Sequence, residues 1–321
     1  MAEMASMAPT SGGQYHWVSE FAPPSAQKSL SYVAGWLAAL GWQAFIANAA
    51  FAGGQSILIL VTLYHPNYVI LQWHGTLMTF AMAGLAAFFN VFLAKRIPIF
   101  EGIVLVFHVV GFFAVMIPLW VLAPKVPHSQ VWSSEAFANY GGWSSIGAAC
   151  IVGQLAASAS LVGADSAAHM SEEVKNASLT VPRMMFGTVL FNGATGFISV
   201  ITYMYVIQDV EQQILASSAY YPWIEVFTVA TGSKAGVVCM ATCITVAAFG
   251  STINVIAAGS RQAWAFARDE GLPFPSWFMK VTLVNKVPLP LNSMLGCMMM
   301  CVILALLNLG GSEVFNSIVG L

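Results

Sequence analysis

The sequence has few charged residues, and this shortage excludes most soluble folds. Asp, Glu, Lys and Arg make up 7% of the 321 residues, whereas hydrophobic residues make up 58%, and the mean hydropathy is +0.76. A soluble domain of this size carries about a quarter charged residues. A net charge of −2 without a Lys/Arg run gives no basic surface for a nucleic acid. The composition therefore predicts an integral membrane protein in a lipid bilayer.

Metal and cofactor sites are also missing from the sequence. Two pairs of cysteines have i,i+4 spacing, Cys239 with Cys243 and Cys297 with Cys301, but no His or third Cys joins either pair. The chain has no Gly-rich phosphate-binding loop and no Ser/His/Asp arrangement outside its apolar runs. We therefore expect no metal, no cofactor and no enzymatic activity. A membrane enzyme is the formal alternative, and it would need titratable groups that converge at one depth.

Long apolar runs are what the sequence has in abundance. Seven of them reach the roughly 20 helical residues that cross a hydrocarbon core. None contains Lys, Arg or Glu, and the one acid, Asp165, directly follows the fourth run. We expect an all-α, polytopic bundle of transmembrane helices in a single domain, residues 1–321. The expected spans are residues 31–63, 69–94, 102–123, 145–164, 184–207, 235–260 and 288–309.

The loop charges predict an orientation. With the N-terminal side in the cytoplasm, nine basic residues lie inside and two, Lys125 and Lys234, lie outside, as the positive-inside rule requires. Seven spans also invite a heptahelical receptor or retinal protein as an alternative. Such proteins keep the N-terminus outside, and a retinal protein needs a Lys that the last run lacks. The inside set is Lys28, Lys95, Arg96, Lys175, Arg183, Arg261, Arg268, Lys280 and Lys286.

Three motifs carry a family resemblance. The first is Pro-Thr-Ser-Gly-Gly-Gln-Tyr-His-Trp at residues 9–17. The second begins with Gly-Ala-Asp at residue 163 and ends with Glu-Glu-Val-Lys-Asn and Val-Pro-Arg before residue 184. The third is Ser-Arg-Gln-Ala-Trp-Ala-Phe-Ala-Arg-Asp-Glu-Gly-Leu-Pro at residues 260–273. Their order and spacing resemble amino-acid permeases of the APC superfamily, above all the fungal amino-acid/choline branch that includes GABA permeases.

The resemblance implies a LeuT/APC-type bundle, in which two five-helix inverted repeats each begin with a broken helix. On that alignment the seven runs correspond to family helices three to nine, and the chain starts inside the second helix. We expect a fragment without the first helix and the C-terminal helices. Because half of the expected substrate site would then be missing, we expect this fragment not to transport by itself. A non-transporting permease fragment is therefore the alternative to an active transporter.

The second broken helix supplies the expected substrate site. The resemblance implies that the turn at Gly163 and Ala164 offers free carbonyl groups and that Asp165 pairs with the cationic end of the substrate. The alternative for Asp165 is a cap on the half-helix that follows. His169, one helical turn later, is more simply a structural partner of Asp165. Asn48, with Gln43 and Gln55, could line a pathway or form interhelical hydrogen bonds.

Coupling residues are expected in two places. His108 lies alone in an uncharged run, where the resemblance places a Lys in some proton-coupled relatives. An imidazole titrates in the physiological range, so His108 favours proton coupling, with a neutral core histidine as the alternative. Ser251 and Thr252 lie where sodium-coupled relatives place hydroxyl ligands.

The cytoplasmic charges are the last candidates. Glu172 and Lys175 follow the broken helix, and Arg261 and Arg268 follow the sixth run, so these opposite charges could close an inner gate. Solvated surface charge is the alternative. The resemblance implies a secondary active transporter of amino acids or amines such as GABA and choline, which we expect to be proton-coupled and in the plasma membrane.

Overall fold

The structure, a computed structural model, describes residues 1–65, 67–133, 137–159, 161–215, 222–311 and residue 315. Within these ranges the regular secondary structure is helical except for one two-stranded hairpin, and the composition predicts such a helical protein. Short 3₁₀ turns follow α4, α8 and α13. The helices are α1 (Ala2–Met7), α2 (Gln14–Phe21), α3 (Gln27–Tyr64), α4 (Gln72–Phe92), α5 (Ile97–Leu122), α6 (His128–Trp132), α7 (Ile146–Ala159), α8 (Ser166–His169), α9 (Ala177–Val206), α10 (Pro222–Thr231), α11 (Lys234–Arg268), α12 (Pro275–Phe278) and α13 (Leu291–Leu307).

In the described part of the chain, six helical segments are long and apolar enough to cross a membrane. Each overlaps one of the expected spans, and some of them continue into charged residues outside the expected bounds. Glu101 lies in the first turns of α5, and Arg261 and Arg268 lie in the last turns of α11. The helices continue because a backbone that keeps its hydrogen bonds can pass from lipid into the interface. The six segments are Gln27–Tyr64, Gln72–Phe92, Ala94–Leu122, Ala177–Val206, Lys234–Arg268 and Leu291–Gly310.

The fourth expected span, residues 145–164, holds a shorter helix. Helix α7 has 14 residues and ends at Ala159. Residues 161–165 form turns, Gly163 has φ +89°, and α8 starts at Ser166. A φ in this range suits glycine, which has no Cβ. The expected break at Gly163 is therefore present, whereas a complete span over 145–164 stays a prediction.

The described chain divides into two compact units. Unit 1 comprises residues 1–106, 165–186 and 245–321, and unit 2 comprises residues 107–164 and 187–244. In unit 1, α3 packs against α2, α4 and α13. Small residues allow this close packing: a Cβ at Gly54 of α3 would lie 3.0 Å from the backbone of Met78 in α4. The buried core of unit 1 includes Trp42, Ile46, Ala50, Phe51, Met82, Ala86, Ile253, Ile256, Met294, Cys297 and Cys301.

Unit 2 is held together by hydrogen bonds between aromatic and hydroxyl side chains. Trp120 of α5 donates to the Oγ1 atom of Thr202 on α9, at 2.9 Å. The hydroxyl of Tyr205 lies 2.6 Å from Nδ1 of His128 and accepts from Nε1 of Trp132 at 2.8 Å. Many apolar side chains of this unit are exposed within the chain. They suit contact with lipid, which is as apolar as the side chains themselves.

A β-hairpin follows α12 and was not predicted. Strand β1 (Thr282–Val284) pairs in antiparallel fashion with β2 (Val287–Leu289). The two connecting residues, Asn285 and Lys286, have φ of +50° and +67°. Positive φ at both central residues defines the turn whose twist matches two antiparallel strands. Lys286 is an unusual residue for that position, so the hairpin has only a weak signal in the sequence.

Candidate functional site

The three sequence motifs meet in unit 1, around the segment that follows the break. Ser11, Gln14 and Tyr15 come from the first motif, and Asp165 and His169 come from the second. The third motif adds the end of α11. Their direct hydrogen bonds join residues that lie 88 to 254 positions apart in the sequence. We therefore treat this junction as the candidate functional site.

His169 lies at the centre of the junction and is fully buried. Its Nδ1 atom lies 2.9 Å from the carbonyl oxygen of Ser11, and its Nε2 atom lies 3.0 Å from Nε1 of Trp42 on α3. A carbonyl can only accept and an indole N–H can only donate. Nδ1 therefore carries the proton and Nε2 is the acceptor. This arrangement requires a neutral imidazole, even though an acid lies nearby.

Asp165 is that acid. Its Oδ2 atom accepts a hydrogen bond from Nε2 of Gln14 and lies 3.5 Å from Nε2 of His169, as the i,i+4 spacing predicts. The Asp165 side chain keeps 16% of its surface exposed, whereas His169 has none. Asp165 is the N-cap residue of α8, but its carboxylate makes no capping hydrogen bond. The carboxylate therefore bonds to Gln14, lies close to His169 and does not cap the helix.

Gly13 brings the first motif close enough to contact the imidazole. Its φ of +58° and ψ of −127° form a combination that side chains disfavour. A Cβ built at Gly13 would lie 2.8 Å from Cε1 of His169. Both the backbone conformation and the close approach therefore require glycine at this position.

Two ion pairs join the turn after α8 to the end of α11. Arg261 bonds to both carboxylate oxygens of Glu173, at 2.6 and 3.2 Å, and its side chain is 8% exposed. Arg268 bonds to both oxygens of Glu172, at 3.1 and 3.0 Å, and its side chain is 40% exposed. Arg268 also lies over the ring of Trp264, 4.5 Å from its centroid. Two-point pairing fixes both the distance and the orientation of the groups it joins.

The charges around this turn shift two pKa values. Burial alone would raise the pKa of Glu172, but the hydrogen bonds and charge of Arg268, with hydrogen bonds from Ser11, outweigh it and hold that pKa below its usual value. Burial raises the pKa of the Tyr15 hydroxyl far above its usual value, and the charge and hydrogen bond of Asp269 raise it further. The Tyr15 hydroxyl donates to Oδ2 of Asp269 at 2.8 Å. Glu172 is therefore held as an anion and Tyr15 as a neutral phenol.

The remaining candidates of unit 1 lie outside the junction. Asn48 is exposed on α3, while Gln43 and Gln55 are buried, and Gln43 donates to Sγ of Cys297 on α13 at 3.3 Å. Lys175 is exposed beyond the ion-paired turn.

The two hydroxyl candidates on α11 differ in their surroundings. Ser251 is exposed, and Thr252 is fully buried with its hydroxyl donating to the Ala248 carbonyl at 2.8 Å. The hydroxyl of Thr252 is thus already used within its own helix. A role of either residue in ion binding stays a prediction.

Unit 2 holds three of the candidates. Gly163 and Ala164 lie in the turn that follows α7. His108 is exposed on α5, with its ring 6.3 Å from that of Phe191. Its role in coupling stays a prediction.

The sequence pattern did not assign roles to several residues of the junction. Ser11, Gln14 and Tyr15 were visible as motif letters, and Glu173 stood beside the candidate Glu172. Trp42 lies in an apolar run, where nothing local distinguishes it from a core residue. Its signal is an indole N–H, which needs an acceptor when it is buried.

The apolar helices and the break define an integral, multi-pass membrane protein. A family model described as "Amino acid permease" matches residues 1–321, so the chain belongs to the amino acid permease family, as the motifs predicted.

Curated relatives agree with this assignment. The chain is 32% identical to a putative amino acid/polyamine transporter of Macrophomina phaseolina over 90% of its length. It is 28% identical to a choline transporter of Saccharomyces cerevisiae over 99% of its length, and 25% identical to an amino-acid permease of Arabidopsis thaliana over its full length. The chain spans 63%, 56% and 64% of these three relatives.

Proposed function

We propose that the chain forms part of a secondary active transporter for amino acids or related amines. Choline, GABA and polyamines are the substrates to test first. The family and the activities named for its relatives support this class of substrate. All of these substrates carry a cationic nitrogen, and an acid within the membrane domain is a group that can pair with it.

The observation that carries the proposal is the partly exposed carboxylate of Asp165 beside a break in an apolar helix. Helix α7 ends at Ala159 and α8 begins at Ser166, and residues 161–165 form turns and not a helix. An ammonium group can pair with Asp165 in place of the Gln14 amide. Gly163 and Ala164 are proposed to offer backbone carbonyls, and Asn48 to line the path along α3.

The two ion pairs support a gating role for the end of α11. We assign Arg261 and Arg268 to an inner gate together with Glu172, and Lys175 adds positive charge next to it. The structure adds Glu173, which binds the buried Arg261. The predicted orientation places the N-terminal side and these charges on the cytoplasmic side of the plasma membrane. The gate would therefore face the cytoplasm.

Proton coupling is the proposed source of energy. His108 is one proposed proton-binding residue. Under sodium coupling, Ser251 and Thr252 would bind the sodium ion instead. Uptake driven by an imposed pH gradient, compared with an imposed sodium gradient, separates these two mechanisms. Under proton coupling, His108→Gln should flatten the pH dependence of uptake.

Uptake into proteoliposomes tests the proposed function. The complete gene product is reconstituted with an inward pH gradient and offered labelled choline, GABA, a polyamine and a neutral amino acid. Asp165→Asn should reduce uptake of the preferred cation about tenfold or more, because a charged hydrogen bond contributes about 1.5 to 3 kcal/mol. Glu20→Gln is the matched control, since Glu20 is an exposed acid on α2. Absence of uptake for all four substrates in the wild type would contradict the proposal.

A further inference from the structure

The hydrogen bonds of His169 give this residue a second possible state. In the structure the ring is neutral, with Nδ1 donating to Ser11 and Nε2 accepting from Trp42. The same Nε2 atom lies 3.5 Å from the carboxylate of Asp165. One acceptor atom therefore faces both a fixed N–H donor and an acid that can deliver a proton.

We propose that His169 is a proton-binding residue, which takes up a proton at Nε2 through Asp165 and thereby releases Trp42. The carboxyl group of Asp165 accepts the proton first, because its side chain is 16% exposed while the ring is buried. The proton then moves to the lone pair of Nε2, and the carboxylate oxygen keeps the electron pair of the O–H bond. The products are an imidazolium and a carboxylate, which form an ion pair.

Proton uptake removes the hydrogen bond of the Trp42 indole. A protonated Nε2 carries its own hydrogen and has no lone pair left, so two N–H groups would face each other. The indole and the imidazole are in edge-to-face contact, with ring centroids 5.2 Å apart and planes at 88°. Trp42 must then turn away or find another acceptor. Because Trp42 belongs to α3, protonation beside the break changes the packing of this long helix.

Among the residues that the structure describes, few other charges compete for the proton. Asp165, on the same turn, is the acid within ion-pair distance of the ring. The N-terminal segment contributes a carbonyl from Ser11 and an amide from Gln14, and α3 contributes the Trp42 indole. The neighbouring charged groups are paired elsewhere: Tyr15 with Asp269, His16 near Glu20, Glu172 with Arg268 and Glu173 with Arg261.

The inference rests on the proposed function in one respect, since it names the residue that couples a proton to transport. It adds a second candidate for the residue that binds the coupled proton. The sequence favoured His108 for that role and a structural role for His169. A buried histidine that joins the first motif to α3 can transmit a change of charge. The proton binding itself can be measured without any transport.

The experiment follows Trp42 fluorescence in the complete protein in lipid nanodiscs. Protonation of Nε2 removes the hydrogen bond of the Trp42 indole, so the emission of Trp42 in the wild type should change as the pH falls from about 8 to about 5. The contribution of Trp42 is the difference between the wild type and Trp42→Phe. His169→Gln is the informative variant, because an amide can keep both hydrogen bonds but binds no proton in this range. His16→Gln is the matched control.

The expected result is a Trp42-dependent titration that His169→Gln abolishes and His16→Gln retains. Asp165→Asn should move its midpoint to lower pH by about one unit or more, since an opposite charge at this distance favours the imidazolium. This second variant keeps the test valid if His169→Gln does not fold. A flat Trp42 difference, a titration that persists in His169→Gln, or a midpoint unchanged in Asp165→Asn would each overturn the proposal.

Transport measurements distinguish a failure of the proposed function from a failure of the proposed proton site. If the wild type shows no uptake but the Trp42 titration is present, the proposed function fails and the proton site stands. If uptake is present and its pH dependence is the same in His169→Gln as in the wild type, the site does not couple a proton to transport. The proposal requires that His169→Gln lose that pH dependence.

Discussion

Substituting Gly13 with alanine is the sharpest test of the junction geometry. The φ and ψ of Gly13, +58° and −127°, lie in a region that costs a residue with a side chain about 1 to 3 kcal/mol. The new Cβ would also lie 2.8 Å from Cε1 of His169, so the ring must move. Moving it weakens the hydrogen bonds to Ser11 and Trp42, each worth about 0.5 to 1.5 kcal/mol.

Gly13→Ala should therefore lower the free energy of unfolding by about 2 to 5 kcal/mol. Unfolding in mixed micelles with an increasing fraction of SDS, followed by circular dichroism, gives this quantity. Gly84→Ala is the control, since a Cβ at Gly84 on α4 would meet no atom of the described residues within 4 Å. In a helix interior alanine is favoured over glycine by about 0.5 to 1 kcal/mol. A loss below about 1 kcal/mol for Gly13→Ala would refute the close approach to His169.

Four further predictions concern the titratable groups around this junction and the orientation of the chain. Glu173→Gln should destabilise the protein by about 1 to 2 kcal/mol because it leaves the buried Arg261 unpaired, whereas Glu172→Gln, in an exposed pair, should cost about 0 to 1 kcal/mol by the same SDS titration. The lowered pKa of Glu172 adds stability that is present above its usual value of 4.5 and is lost as the pH falls through the folded-state pKa, so Glu172→Gln should flatten the acid side of the stability profile. The raised pKa of Tyr15 adds stability that is present below its usual value of 10.0 and is lost as the pH rises beyond it, so Tyr15→Phe should flatten the alkaline side, and an unchanged profile would contradict the burial of its hydroxyl. The sequence Asn-Ala-Ser at residues 176–178 is a glycosylation sequon, which the predicted orientation places in the cytoplasm. It should stay without a glycan in a eukaryotic host, and a glycan detected by a mobility shift would overturn that orientation.

The sequence predicted those parts of the fold that depend on local composition. Apolar runs became helices because a chain in lipid must satisfy its backbone hydrogen bonds within the segment. The break near Gly163 was also visible, since glycine before an acid at the end of an apolar run disfavours a continuous helix. Helix ends were less well predicted. Charged residues such as Arg261 and Arg268 extend α11 beyond the apolar run, because helix propensity does not end where hydropathy does.

The partners within the site could not be predicted in the same way. Arg261 could have paired with any acid on the same side of the membrane, and the structure selects Glu173 and not its neighbour Glu172. No spacing rule applies to residues 88 positions apart. The hydrogen bond from Trp42 to His169, across 127 positions, is equally invisible. Only the i,i+4 contact between Asp165 and His169 followed from sequence, since both lie on one helical turn.

The contacts of the segment 165–173 differ in kind from those of the helices around it. Helices α3, α4, α11 and α13 share an apolar core, whose stability depends on burial and hardly on pH. Residues Asp165, His169, Glu172 and Glu173 are held mainly by hydrogen bonds and ion pairs to Gln14, Trp42 and the end of α11. Polar contacts of this kind change strength with protonation and with a charged ligand, whereas apolar packing does not. In this unit a change of charge therefore acts first on the segment after the break, and it reaches the apolar core through the hydrogen bond between His169 and Trp42.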